Sequence, residues 1–130
     1  MKKFCLLLLV GTCLIAFAMA WKPGQIVCAR WSGTYYLATV TAANGDQWDV
    51  IYADGDHAML AESDLHELPG DPGLKAGDKV LAIWNNGAKF YSGVVEDVCQ
   101  LSYLVKWDDG STPSWVPAGK ILRHFEVENP

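Results

Sequence analysis

The sequence predicts an all-β protein made of two small, five-stranded barrels in tandem. Three observations support this fold class: a motif that occurs twice, short segments in which apolar and polar residues alternate, and turn residues between those segments. No window shows the sustained 3.6-residue periodicity of an amphipathic helix. With 51% hydrophobic and 19% charged residues, the chain of 130 residues is also too apolar to be disordered.

The first twenty residues have the pattern of a cleaved signal peptide. Two lysines follow Met1, an apolar run continues to Phe17, and Ala-Met-Ala at positions 18–20 offers the small residues that signal peptidase accepts. The alternative is a membrane anchor, but the apolar run is short for a spanning helix. We therefore expect cleavage after Ala20, no stable membrane insertion afterwards, and a secreted or periplasmic protein.

Removal of this leader changes the composition. The remaining 110 residues carry 8 basic and 15 acidic residues, so the net charge falls from −5 to −7. An acidic chain lacks the basic face that nucleic-acid binding needs, and no nucleic-acid partner is expected. Cys28 and Cys99 are the two cysteines that remain. An oxidising compartment would allow them to form a disulfide between the two halves, and the alternative is that both are small buried apolar residues.

The motif begins at Gly24 in its first copy and at Gly77 in its second. Each copy opens with a strand-like segment that ends in tryptophan, GQIVCARW and GDKVLAIW. The offset between the copies then rises from 53 to 55, because the second copy has two more residues in its first turn. Both copies continue through YYLATV or FYSGVV to WDVIYADG or YLVKWDDG, and both close with a short apolar element.

Turn residues divide each copy into four short strands before that closing element. Asn-Gly at 44–45 predicts a tight hairpin, and Asp-Gly at 54–55 and at 109–110 predicts two more turns. A sheet of this size removes its edges by curling, so we expect two five-stranded SH3-like barrels. The expected organisation is a leader at 1–20, a barrel at 21–68, a Pro/Gly linker at 69–76, a barrel at 77–124 and a tail at 125–130.

The repeated residues resemble Tudor domains. Trp84 with the following NNGAKFYSG, and the later VKWDDG, look like one such domain, while Trp31 with YYLA and YADG looks like a second. The resemblance covers nearly all of Gly24–Leu122 and is closest to tandem Tudor modules of the royal superfamily, to which Agenet domains are close relatives. Tudor domains usually recognise methylated lysine or arginine. The resemblance therefore implies Tudor-type barrels and a peptide or protein partner, methylated or otherwise cationic.

The resemblance also implies an aromatic cage in each copy, with a carboxylate beside it. The candidate cage residues are Trp31, Tyr36, Tyr52 and Asp54 in the first copy and Trp84, Tyr91, Trp107 and Asp109 in the second. A further aromatic residue often follows that aspartate by two positions, where this chain has Asp56 and Ser111. Ring faces suit a quaternary ammonium, which cannot donate a hydrogen bond, and each ring contributes about 0.5–2 kcal/mol. The second copy matches the motif more closely and is the stronger candidate.

Nothing in the sequence points to catalysis. The histidines at 57, 66 and 124 fit no zinc signature, and neither a nucleophile elbow nor a phosphate-binding loop is present. We expect no enzyme, no metal and no cofactor. Two other roles stay open: a structural or adaptor protein of the cell envelope whose aromatic residues are only core, and a glycan-binding protein. The alternative role of Asp54 and Asp109 is to form turns only. Trp115, which lies between Pro113 and Pro117, is expected to pack the two barrels together.

Overall fold

The computed structural model describes residues 21–125 as an all-β protein. The expected leader and all but the first residue of the expected tail lie outside the described residues. The first unit contains β1 (Ile26–Trp31), β2 (Thr34–Asn44), β3 (Gln47–Tyr52), β4 (His57–Ala61), a 3₁₀ turn (Glu62–Asp64) and β5 (Leu65–Glu67). The second unit contains β6 (Lys79–Ile83), β7 (Phe90–Cys99), β8 (Ser102–Trp107), β9 (Ser114–Pro117) and β10 (Ile121–Arg123). Within 21–125 there is no helix long and apolar enough to cross a membrane.

The strands form two five-stranded antiparallel sheets with the same topology. The order is β4-β3-β2-β1-β5 in the first sheet and β9-β8-β7-β6-β10 in the second. The expected number of strands is confirmed, but the expected closure into barrels is not, because β4 and β5 each pair on one side only. A 3₁₀ turn connects these two strands where a hairpin would have paired them, so hydrogen bonds do not close the sheet.

The two units repeat each other in detail. A bulge follows Val40 in β2 and Val95 in β7, at the sequence offset of 55. The backbone amides of Gly24 and Gly77 donate to the carbonyls of those same two valines, each over 2.7–2.8 Å. Both glycines have φ near +90°, a conformation that other residues rarely adopt. This shared geometry explains why each copy of the motif starts with glycine.

Each sheet folds over its own apolar core, and a third cluster joins the two units. The core of the first unit includes Val27, Ala29, Val40, Val50 and Leu65, and that of the second includes Val80, Ala82, Val95, Val105 and Ile121. The third cluster, here called the interface cluster, has Cys28, Leu81, Ile83, Phe90 and Leu122 at its buried centre, with Tyr35, Leu37, Leu68 and Phe125 packed around them. The units therefore exchange no strand, but they share a buried surface.

The backbone also crosses between the units at one point. The amide of Leu37 in β2 donates to the carbonyl of Ala88, 2.8 Å away, in the loop before β7. Tyr36 and Lys89 form an isolated antiparallel bridge beside that bond. The loop of the second unit is thus fixed against a strand of the first.

Cys28 and Cys99 do not pair, contrary to the disulfide that the sequence left open. Cys28 lies at the centre of the interface cluster, while Cys99 is exposed at the end of β7, and both thiols are free. Burial raises the pKa of the Cys28 thiol well above its ordinary value. Trp115 is 49% exposed on β9 and is not part of the interface cluster, so the expectation that it packs the two units together is wrong.

Asp78 fixes the start of the second unit. Its carboxylate accepts the backbone amide of Lys75 over 2.9 Å and pairs with Arg123 over 3.2 Å. The hydrogen bond from the backbone amide of Lys75 contributes most to holding the pKa of Asp78 below its usual value, and the charges of Arg123 and Lys75 add to this effect.

Candidate functional site

A cavity of about 620 Å³ opens on the first unit and contains all four cage candidates of the first copy. Its lining consists of Trp31, Tyr36, Tyr52, Ala53, Asp54 and Asp56 from the first unit, with Ala88 and Lys89 from the second. The rings come from the end of β1, the start of β2 and the end of β3. The cavity therefore lies where the crossing loop of the second unit meets the first sheet.

Small residues lie opposite two of the rings in the first sheet. In the register of the sheet, Ala29 faces Tyr36 and Ala38 faces Tyr52. Side chains at directly opposed positions lie on the same face of a sheet, so a larger residue at either alanine would compete with the ring for space. The alternation in each strand thus places the rings and the small residues together.

Tyr52 is the fixed centre of the three rings. It is 6% exposed, and its hydroxyl donates to the carbonyl of Arg30 over 2.5 Å. Burial raises the pKa of Tyr52, and the charge of Asp64 raises it further. The ring of Trp31 lies 4.9 Å from that of Tyr52 at 86°, and the ring of Tyr36 lies 6.4 Å away at 88°. Two rings thus stand almost perpendicular to a third, in edge-on contact with it.

The aspartates that follow β3 and β8 form turns in both units. Asp54 accepts the amide of Asp56 over 3.0 Å, and Asp109 accepts the amide of Ser111 over 2.8 Å. This last bond holds the pKa of Asp109 below its usual value. Asp54 nevertheless also lines the large cavity, so its role in the turn places its carboxylate at the site. Asp56 occupies the position at which Tudor-like motifs often have a further aromatic residue, and it adds a second carboxylate to the lining of the large cavity.

The second unit also brings its four candidates together, but around much less space. Trp84, Tyr91, Trp107 and Asp109 line a cavity of about 90 Å³, and Trp84 meets Tyr91 edge-on at 6.2 Å. Trp107 is only 3% exposed and belongs to the core of the second unit. The first unit therefore has the larger of the two cavities, although the second copy matches the sequence motif more closely.

Asp56 and Lys89 line the large cavity and were not among the candidates. Lys89 lies in the first turn of the second copy, which is two residues longer than that of the first copy. Nothing in the sequence of this turn indicates that it contacts the other unit. Its spacing of two from Tyr91 is the one signal available, because residues two apart in a strand share a face. The Nζ atom of Lys89 is indeed 5.0 Å from the centre of the Tyr91 ring.

No protein-family model and no curated protein matches the chain. Among solved structures it is similar to the tandem Agenet domain 3-4 of ADCP1, with a TM-score of 0.50 and 21% identity over 89% of this chain and 88% of that one. It is also similar to AGD34 of AGDP1 from Arabidopsis thaliana, with a TM-score of 0.53 and 19% identity over 89% of this chain and 90% of that one. The chain has the tandem Agenet fold. The resemblance to tandem Tudor and Agenet modules is therefore confirmed for the fold, and both units of this tandem Agenet fold carry an aromatic site.

Proposed function

We propose that this protein is a secreted, non-enzymatic binding module that holds a methylated lysine or arginine, or another cationic group of a peptide or protein, in the large cavity of its first unit. The observation that carries the proposal is the arrangement of Trp31 and Tyr36 at nearly right angles to Tyr52 around this cavity. Ring faces attract a cation that has no proton to donate. The carboxylates of Asp54 and Asp56 add charge attraction at the same site.

The net charge of the chain without its leader supports the same class of ligand. At −7, the protein attracts cations and repels acidic partners over distances longer than a direct contact. The tandem Agenet fold and the Tudor-like motif support binding of a peptide or protein. Secretion rests on the sequence of residues 1–20, so the ligand is defined here by its chemistry and not by a cellular compartment.

Calorimetric titration of the protein with mono-, di- and trimethyl-lysine peptides tests the proposal. Trp31→Ala is expected to weaken binding by about five-fold or more, because a well-placed ring contributes roughly 1 kcal/mol. Trp115→Ala is the matched control, since this tryptophan is similarly exposed (49% against 41%) and lies outside the cavity. Absence of saturable binding by any of the peptides would contradict recognition of methylated lysine, and an equal loss in both variants would contradict the assignment of the ligand to this cavity.

Secretion has a separate test. The exported protein is expected to begin at Trp21, which can be read by N-terminal sequencing after expression in a host with a signal peptidase. A protein that still begins at Met1 would contradict this part of the proposal without affecting the binding site.

A further inference from the structure

Lys89 brings a positive charge into the wall of a cavity that otherwise suits cations. Its backbone is bridged to Tyr36, so the residue is fixed against the first unit. Its side chain is half-buried, with Nζ held 5.0 Å from the ring centre of Tyr91. Tyr91 itself lines the small cavity of the second unit, whereas Lys89 lines the large one, so the side chain of Lys89 lies between the two cavities.

No carboxylate neutralises this ammonium within the described part of the chain. The ion pairs found in 21–125 involve Arg30, Lys75 and Arg123, and Lys89 takes part in none of them. Asp54 and Asp56 line the same cavity but lie beyond ion-pair distance of Nζ. The cavity thus holds carboxylates from one unit and an unpaired ammonium from the other.

The volume of the cavity also exceeds the needs of a single methylated ammonium group. At about 620 Å³ it lies in the range of sites that enclose a whole small ligand. A purely cationic ligand would gain from the carboxylates and the rings but would be opposed by Lys89. A ligand with an anionic group close to its cation would satisfy both signs of charge.

We propose that Lys89 is a specificity-determining residue, which binds a phosphate or carboxylate group carried by the same ligand whose methylated ammonium lies among Trp31, Tyr36 and Tyr52. This inference rests on the proposed function and narrows it to zwitterionic ligands. The anionic group belongs either to a small molecule of the phosphocholine type or to an acidic residue next to a methylated lysine. The chemistry at Lys89 is the same for both sources: a charge-assisted hydrogen bond from Nζ to an anionic oxygen.

Calorimetry with choline and phosphocholine separates the two charges of the ligand. Phosphocholine is expected to bind about five-fold more tightly than choline. This ratio corresponds to the free energy of one charge-assisted contact at a partly exposed site. Lys89→Met keeps the length and apolar stem of the side chain but removes its charge. In this variant phosphocholine is expected to bind about five-fold more weakly, and choline about two-fold more tightly because a like charge is gone.

The opposite signs of these two changes distinguish a charge effect from damage to the fold, which would weaken both ligands. Lys106→Met is the matched control, because this exposed lysine on β8 does not line the large cavity and its replacement changes the net charge equally. Trimethyl-lysine peptides followed by glutamate or glutamine form the second arm. A preference for glutamate that Lys89→Met abolishes would assign the anion to a peptide.

The outcomes decide the inference and the proposed function separately. If choline or the peptides bind but an added anionic group brings no gain in either arm, Lys89 does not bind an anion and the proposed cation site stands. The same holds if the gain survives in Lys89→Met. If none of these ligands binds the unmodified protein, the cation site itself is absent and both proposals fall.

Discussion

Replacement of Trp107 tests whether this residue stabilises the core or binds a ligand. The sequence motif places Trp107 among the cage candidates, in the position equivalent to Tyr52. In the structure it is 3% exposed, belongs to the core of the second unit, and donates its indole N–H to Ser114 over 3.1 Å. Trp107→Ala is therefore expected to affect the stability of the fold before it affects any ligand.

The expected magnitude follows from these contacts. Removing a buried tryptophan side chain costs about 3–5 kcal/mol through lost apolar burial and the cavity that remains. Trp31 is 41% exposed, and its main contact is the edge-on packing against Tyr52. Such an aromatic pair contributes about 0.5–1.5 kcal/mol. Trp107→Ala should thus lower the free energy of unfolding by roughly 2–4 kcal/mol more than Trp31→Ala does.

Urea denaturation followed by circular dichroism measures this difference without relying on the altered tryptophans. For a typical dependence on urea, the midpoint of Trp107→Ala should lie about 2 M below that of Trp31→Ala. Trp84→Ala serves as the control within the second unit, because Trp84 is 42% exposed and should behave like Trp31. Equal midpoints for Trp107→Ala and Trp84→Ala would refute the assignment of Trp107 to the core.

Three further outcomes are expected. Gly93→Ala should lower the free energy of unfolding by about 1–3 kcal/mol, since a Cβ there would lie 2.7 Å from a backbone carbonyl oxygen and 2.6 Å from a valine methyl group. Cys99 should react with iodoacetamide in the native protein, whereas Cys28, buried and with a raised thiol pKa, should react only after unfolding. Asp78→Asn should destabilise the protein at neutral pH, and the difference should vanish as the pH falls through the lowered pKa of Asp78, below 3.8.

Each of these three predictions can be contradicted by a specific result. Gly70→Ala, where a Cβ meets nothing within 4 Å, should leave the urea midpoint of the protein nearly unchanged, and an equal shift in both glycine variants would argue against a clash at Gly93. Mass spectrometry that finds Cys28 labelled as fast as Cys99 would place both thiols at the surface. A difference between Asp78→Asn and the unmodified protein that stays undiminished as the pH falls well below 3.8 would show that the charge of Asp78 is not its cause.

The repeat, the turns and the strands were predictable because they depend on local chemistry. Glycine at the start of each copy, Asn-Gly in the β2–β3 hairpin, and alternation in β1 and β6 all act within a few residues of the chain. The closure of the sheets was not predictable in this way, because it depends on whether β4 and β5 meet in space. The connection between them is a 3₁₀ turn without a glycine or proline to mark it.

The positions of the candidate site residues were predictable in part. All eight cage candidates line one of two cavities, because the motif fixes the ends of the strands that carry them. The relative size of the cavities was missed, since the motif does not show how deeply Trp107 is buried. Lys89 was missed for another reason: its position in the cavity arises from contact between the two units, and no periodicity within one unit contains that information.

The interface cluster has a consequence for the link between the two copies of the motif. In many tandem proteins the connecting segment sets the distance and orientation of the modules. Here buried side chains and the backbone hydrogen bond between Leu37 and Ala88 fix the distance between the two units. The length of the segment at 69–76 therefore does not set that distance. The two halves are therefore not independent modules, and a half that is expressed alone would expose the apolar side chains around Cys28 or Phe90 to water.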